Sequence, residues 1–519
     1  MASGPSPSPV ASPSAATPPG VLSYLSSYLA APGPKFLVVS GPVGSGKSTF
    51  LRSLLTTLDG PKLYLAYQTS SPGGSANPDG ASAPVQMLLA DPQFAGADDR
   101  PLPAGGTGSP PLAFSPQERR MNTGIAGPLA DAVAAMSTRG RGSIIVDSWD
   151  RGSEAFFRSM APRPGSVRTF LAPPSDLAAL QAGILGTTTH LVLGVTPELG
   201  APLYTLADAL VELKAEEHPR GRLRLCAVTK VRGGSPPPPP SLYTLDGERF
   251  LSLPPLPSGF RPPMGPPEPD PDPAEDSLWP GSAPLAATLG RLRYGGMTAF
   301  TLTPDCPDTL PVALAGPVVA HALRAGGHVV WIPAPSVRPT RLLGLLAPLV
   351  PADWIRERLR ILSATGDEPG LGEFKGVIVP LPRAAAESQV ARPSGTAVAG
   401  PLFPEVYRFL RARAESTPAL YVVSLEGLRA TTATAGIRID DSTLAAVAGF
   451  YARVPRFHLF SYGGTGDPAA PQLMPVADTL VHLEVLHGRP VMFAGRPKYS
   501  PMVFDWTGDH GRFALLPIS

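Results

Sequence analysis

Cysteine is almost absent, with Cys226 and Cys306 the only two in 519 residues. Lying far apart in the sequence, they can build neither a disulfide framework nor a cysteine-based zinc site, and a reducing cytosol is the compartment that fits. Charge is scarce too: 16% of residues are charged, the formal net charge is +2, and no block of Lys and Arg stands out. Proteins devoted to nucleic acid or anionic membranes carry a basic surface, so both roles are disfavoured. No run approaches the ~20 consecutive apolar residues of a membrane-spanning helix. Residues 1–20 lack the basic start and continuous apolar centre of a secretory signal. We therefore expect a soluble, cytoplasmic protein without membrane contact.

What is abundant is Pro, 68 residues, and Gly, 54, beside a hydrophobic fraction of 43%. Enough core material remains for two or three domains if the excess Pro sits in tails, loops and a linker. The most informative stretch is Gly41-Pro42-Val43-Gly44-Ser45-Gly46-Lys47-Ser48, a complete G-x-x-x-x-G-K-[ST] phosphate loop, followed by Thr49. Before it, Phe36-Leu37-Val38-Val39-Ser40 reads as a buried strand; after it, Phe50, Leu51, Leu54, Leu55 and Leu58 share one helical face up to Gly60. The motif requires that setting. Its glycines let backbone N–H groups converge on phosphate oxygens at a helix N-terminus, Lys47 reaches the β/γ-phosphates, and Ser48 ligates Mg²⁺. Ser143-Ile144-Ile145-Val146-Asp147 supplies a second element, a β-branched strand ending in the carboxylate that holds the Mg²⁺ hydration shell. The expected cofactors are ATP and Mg²⁺. GTP is disfavoured because no Asn-Lys-x-Asp guanine-recognition motif occurs.

Along the chain, residues 1–20 read as a disordered Pro/Ser/Ala-rich tail and 21–250 as the nucleotide-binding domain. Within it a short helix begins at Val21, and Lys62–Tyr67 is the second strand. Residues 69–112 form a long loop rich in Gly, Pro, Ser and Asp, either disordered or a functional lid. Ser115-Pro116-Gln117-Glu118 opens a helix to about Ser137 with a capping box and Pro at its first position. Helices are also expected over Ser153–Met160 and Ser175–Leu185, then a strand over His190–Leu193. Alternating strands and helices mean a mostly parallel sheet flanked by helices. Asp208–Lys214, Arg222–Lys230 and Ser241–Leu245 add an antiparallel extension. Residues 251–284 read as a stiff Pro-rich linker.

The remainder, 285–519, repeats the pattern. Leu206-Ala207-Asp208-Ala209-Leu210-Val211-Glu212-Leu213 matches Val476-Ala477-Asp478-Thr479-Leu480-Val481-His482-Leu483, and similar spacing carries the phosphate loop onto Thr303–Thr309. That second loop sits between the strand Met297–Leu302 and a helix from Leu310 to Arg324. It has neither Gly nor Lys and carries Asp305 and Asp308, which repel phosphate. The strand Leu420–Val423 ends at Ser424 rather than Asp, with Glu426 beyond. We read a degenerate twin domain without a phosphate loop, in preference to an unrelated α/β domain.

Taken together, these residues resemble the KaiC branch of RecA-like P-loop ATPases, and within it the GvpD family of gas-vesicle regulators. The resemblance rests on Pro34–Leu37, Gly41–Ser48, Ile144–Asp150, Ala207-Asp208 and Lys230-Val231-Arg232-Gly233; it covers 20–250 by motif and 285–519 by pattern only. It implies two tandem RecA/KaiC-like domains and a homo-oligomer, up to a hexamer. It also implies that Lys230 and Arg232 reach a neighbouring subunit's γ-phosphate as trans-acting fingers; two ordinary surface cations at a strand end are the other reading. The family's hydrolysing members carry paired glutamates after the second strand, where this chain has Gln68-Thr69. Gln68 can orient a water but cannot take its proton, so hydrolysis is expected to be weak or absent. Asp150 could serve as the base, or as a helix cap. The implied function is an ATP-binding regulator whose nucleotide state controls oligomer or partner binding, the partner being unidentified. An active KaiC-like ATPase and a DNA recombination or repair ATPase are the alternatives, the latter disfavoured by the missing basic, aromatic-laced surface.

Overall fold

The computed structural model describes residues 20–60, 62–67, 85–89, 142–147, 149, 189–258, 260–363, 372–374, 376–380, 417–434, 456–467, 475–496, 499–506 and 513–518. Gln68, Asp150, the tail before residue 20, most of the 69–112 segment and the three helices expected between 115 and 185 lie outside these residues. The chain divides into two compact units, Met1–His218 with Arg222–Pro257, and Pro219–Gly221 with Ser258–Ser519.

In the first unit, helix α1 (Val21–Ala30) precedes strand β1 (Phe36–Ser40), and helix α2 (Lys47–Thr57) follows it. Then come β2 (Lys62–Tyr67), β3 (Val85–Leu89), β4 (Ser143–Asp147), β5 (His190–Val195), helix α3 (Pro197–Leu206), β6 (Ala209–His218), β7 (Gly221–Val231), β8 (Ser241–Thr244) and β9 (Leu251–Leu253). They form one sheet in the order β3-β2-β4-β5-β1-β6-β7-β8-β9. β2, β4, β5, β1 and β6 run parallel. β1, β4 and β5 are buried along their whole length, as continuous apolar runs covered on both faces should be. Tyr24, Leu25, Leu51, Leu54, Val192, Val211 and Tyr243 belong to one core. Phe50 of α2 meets Phe250 edge-on with centroids 4.8 Å apart, and Phe250 stacks on Tyr243 at 4.7 Å. Each such ring contributes roughly 1.5–3 kcal/mol by burial, which fixes α2 and the loop before it to the sheet.

One expectation changes here. Val85–Leu89, inside the segment read as a loop, pairs antiparallel with β2 as an edge strand. Its five β-compatible residues are too few to stand out from the Gly/Pro-rich sequence around them.

The second unit begins with the Pro-rich segment, which is packed rather than a bare spacer. Arg291 grips Asp270 with two hydrogen bonds of 2.8 and 2.7 Å and holds its carboxyl below the usual range. A Cβ at Gly316 would stand 2.2 Å from the Met264 methyl, so Met264 lies directly against that helix. The elements are β10 (Ser277–Leu278), helix α4 (Ala283–Leu289), β11 (Leu292–Arg293), β12 (Met297–Leu302), helix α5 (Thr309–Arg324), β13 (His328–Ile332), helices α6 (Pro339–Leu346) and α7 (Ala352–Arg358), β14 (Leu359–Ser363) and β15 (Ile378–Pro380). They continue with β16 (Ala419–Ser424), helix α8 (Leu425–Thr434), β17 (Phe457–Gly464), β18 (Thr479–Leu486), β19 (Arg489–Arg496), β20 (Met502–Asp505) and β21 (Ala514–Pro517). The main sheet runs β15-β14-β13-β16-β17-β12-β18-β19-β20-β21.

From β13 to β21 that order reproduces, strand for strand, the order β2-β4-β5-β1-β6-β7-β8-β9 of the first unit. The matched central strands are parallel in both. Both units are thus α/β, with mixed but mostly parallel sheets. No helix among the described residues is long and apolar enough to cross a membrane.

Candidate functional site

The loop Gly41–Gly46 leaves β1 at the carboxyl end of the parallel strands, the edge where open α/β sheets bind ligands. Gly41 donates to the Val195 carbonyl at 3.1 Å, and Ser45 N–H to the Pro42 carbonyl at 3.2 Å. Gly44 and Gly46 adopt φ of 79° and 85°, a left-handed conformation that glycine enters without strain. At Gly41 a Cβ would stand 2.8 Å from the Leu213 carbonyl oxygen, so the close approach of β6 also requires glycine. The Tyr243 hydroxyl donates to the Ser45 carbonyl at 2.5 Å and pins the middle of the loop. Ser45 Oγ is buried with no hydrogen-bond partner among the described residues. Lys47, the first residue of α2, folds back so that Nζ donates to the Gly41 carbonyl at 2.6 Å and the Pro42 carbonyl at 3.1 Å. Pro42, Ser48 and Thr49 are half-buried; Val43 at the loop tip is 82% exposed.

Asp147 ends β4 on the same edge. It lies one residue beyond Val146, which is level with Leu193, itself level with Val38 of β1. With β5 between them, β4 and β1 are about 10 Å apart, which brings Asp147 and the loop to the same end of the sheet. Asp147 is only 5% exposed and accepts a 2.8 Å hydrogen bond from the Tyr64 hydroxyl of β2. Burial, and then the Asp147 charge, push the Tyr64 phenol far above its usual range, so it remains a donor at any working pH. Sequence reasoning missed both tyrosines. A phenol inside an otherwise apolar strand was the available signal, since a buried Tyr hydroxyl needs a partner.

A third tyrosine joins the loop to α3. Tyr204 lies along its helix over Gly200, and its hydroxyl is 2.6 Å from Ser40 Oγ, just before Gly41. Side chains lean toward the helix N-terminus, which carries this one to the loop edge from the far end of α3.

Lys230 and Arg232 are not brought to the loop of their own chain. The Arg232 N–H donates to the Asp208 carbonyl, and Asp208 N–H to the carbonyl of Phe36, the first residue of β1. Both cations therefore stand at the opposite edge of the sheet. Lys230 Nζ donates to the Tyr204 and Thr205 carbonyls at 2.6 and 3.0 Å, and Arg232 to the Thr205 carbonyl at 2.6 Å. They satisfy the last turn of α3, where cations complement the helix dipole. Partial burial, then the like charge of Arg232, lowers the Lys230 pKa.

In the second unit the register identifies the counterparts. Met297 is level with Leu459 as Phe36 is with Leu191. Counted from those strand starts, Cys306 holds the place of Ser45, Asp308 that of Lys47 and Thr309 that of Ser48. Cys306 N–H donates to the Thr303 carbonyl at 2.9 Å, the same turn that Ser45 makes. Pro307 stands where Gly46 needs a positive φ, a conformation Pro cannot adopt. Ser424 occupies the place of Asp147 and caps α8 by accepting from the Gly427 N–H at 3.1 Å. Lysine has become aspartate, and the acidic strand end a helix cap.

No protein-family model matches the chain, and no curated protein sequence matches it. What remains is geometry: a glycine turn whose lysine folds back onto it, at the same end of the sheet as a buried carboxylate held by a tyrosine.

Proposed function

We propose that this chain is an ATP-binding regulatory protein of the KaiC/GvpD type, built of two tandem RecA/KaiC-like domains of which the second is degenerate. The observation that carries the reading is the Gly41–Ser48 loop between β1 and α2, with Asp147 at the same end of the sheet. The residues suit a nucleoside triphosphate and Mg²⁺: Gly44 and Gly46 are left-handed, Ser45 Oγ is an orphaned polar atom, and a Cβ at Gly44 would meet nothing within 4 Å. Lys47 Nζ donates to loop carbonyls that a polyphosphate would replace as its partners. Gly44, Gly46, Lys47 and the first turn of α2 would hold phosphate oxygens, while Ser48 and Asp147 would hold the metal. Bound Mg²⁺ would neutralise charge between the β- and γ-phosphates.

The matching strand orders of the two units support the tandem reading. Regulation rather than vigorous turnover is favoured by Gln68 at the family's carboxylate position. Calorimetric titration of ATP·Mg²⁺ into wild type and Lys47→Ala tests the assignment. Wild type binds, and the variant, with native circular dichroism, loses affinity by about 100-fold, as expected for a charge-assisted phosphate contact in a partly buried site. Equal affinities overturn it.

A further inference from the structure

The second unit holds a cavity of about 180 Å³ lined by, among others, Arg261, Met264, Thr309, Val312, Arg341 and Leu345. Its walls are mainly apolar: Val312 and Val337 are 2% and 4% exposed. Three polar residues line it: Thr309, Arg261, which is exposed, and Arg341, which is half-buried. Thr309 Oγ1 is shut off from solvent and has no hydrogen-bond partner among the described residues. Arg261 and Arg341 both line the cavity, and among the described residues neither guanidinium has a hydrogen-bond or ion-pair partner. No Asp or Glu is among the lining residues. The nearest acids in sequence, Asp305 and Asp308, are exposed.

We propose that this cavity binds a small carboxylate carrying a short apolar tail. Guanidinium is the planar, doubly donating partner of a carboxylate, and the apolar walls take the tail. Size selects the class. A cavity of about 150 Å³ accommodates benzene, so this one takes on the order of six to eight non-hydrogen atoms, far fewer than a nucleotide. Thr309 stands where the first unit has Ser48. The site is distinct from the Gly41–Ser48 loop and does not depend on the ATP reading.

Hexanoate is the probe, titrated calorimetrically into the full chain beside 1-hexanol, which has the tail without the charge, and acetate, which has the charge without the tail. Saturable binding of one hexanoate per chain is expected, about tenfold or more tighter than either control. Arg341→Gln, in α6, should lose about tenfold in hexanoate affinity while hexanol is unaffected; circular dichroism verifies its fold. Lys47→Ala should leave hexanoate binding unchanged. Absence of saturable binding, hexanol binding as well as hexanoate, or insensitivity to Arg341→Gln overturns the proposal. Loss of hexanoate in Lys47→Ala also overturns it, because the acid would then sit in the phosphate loop.

Discussion

Asp147 is oriented by a phenol, and the consequence can be measured. Replacing Tyr64 by Phe keeps the ring in the core but removes the 2.8 Å donor to a carboxylate that is 5% exposed. Hydrogen bonds to charged groups contribute about 1.5–3 kcal/mol, so Tyr64→Phe should destabilise the chain by about 2 kcal/mol in urea unfolding. If Asp147 serves Mg²⁺, the variant should also need more Mg²⁺ to support ATP binding, with magnesium-free nucleotide affinity unaltered. An unchanged Mg²⁺ requirement would confine Tyr64 to a structural role. At this scale Lys47 and Asp147 were legible in the sequence because each belongs to a pattern whose spacing carries chemistry. Tyr64, Tyr204 and Tyr243 were not. Each is a tyrosine in a strand or helix, and what distinguishes it is a hydroxyl partner far away in sequence: Asp147, Ser40 and the Ser45 carbonyl.

The Ala-Asp pair that occurs twice in the sequence has a common physical purpose in the two units. Asp208 accepts from the Phe36 N–H through Oδ2 at 2.9 Å while its own N–H donates to the Phe36 carbonyl at 2.7 Å. Asp478 does the same to Met297, at 2.7 and 3.0 Å. A strand start has backbone groups with no ladder partner, and one aspartate closes both of them. His190, the first residue of β5, and His458, the second of β17, hold the same register position: His190 Nδ1 accepts from Lys35 N–H, and His458 lies between the Arg293 carbonyl and Thr298 Oγ1. Asp478→Ala should lower the stability of the second unit by about 1–3 kcal/mol, the cost of leaving a shielded N–H unpaired, while ATP affinity at the first unit is unchanged. Thermal unfolding monitored with and without ATP checks both halves of that statement. Elements were read best where a strand is a continuous apolar run: Phe36–Ser40, Lys62–Tyr67 and Ser143–Asp147 have the bounds the sequence indicated. They were read worst where composition dominated. Val85–Leu89 was hidden by its Gly/Pro-rich neighbours, and 251–284 read as a stiff linker although Arg291 ties Asp270 down.

For the whole molecule, an order of strands is repeated with different loop chemistry, and only the first loop keeps the phosphate motif. ATP stoichiometry should therefore be one per chain. Assembly tests the basic pair. Lys230 and Arg232 stand at the sheet edge remote from their own phosphate loop, so any phosphate they meet belongs to another subunit. Their hydrogen-bond partners are carbonyls at the end of α3, and Arg232, 54% exposed, also pairs with the Asp208 carboxylate at 3.9 Å. A neighbour's polyphosphate would offer these cations more formal negative charge than that one distant carboxylate does. ATP should then stabilise the oligomer more than ADP does, because a ligand shifts assembly only by binding the assembled state better. Light scattering of wild type with ATP, with ADP and without nucleotide should show larger mass with ATP. Lys230→Ala/Arg232→Ala should lose that difference while still binding one ATP per chain, since the loop and its lysine belong to the other edge. If mass is the same in all three states, the two cations are helix-capping residues of α3 and nothing more.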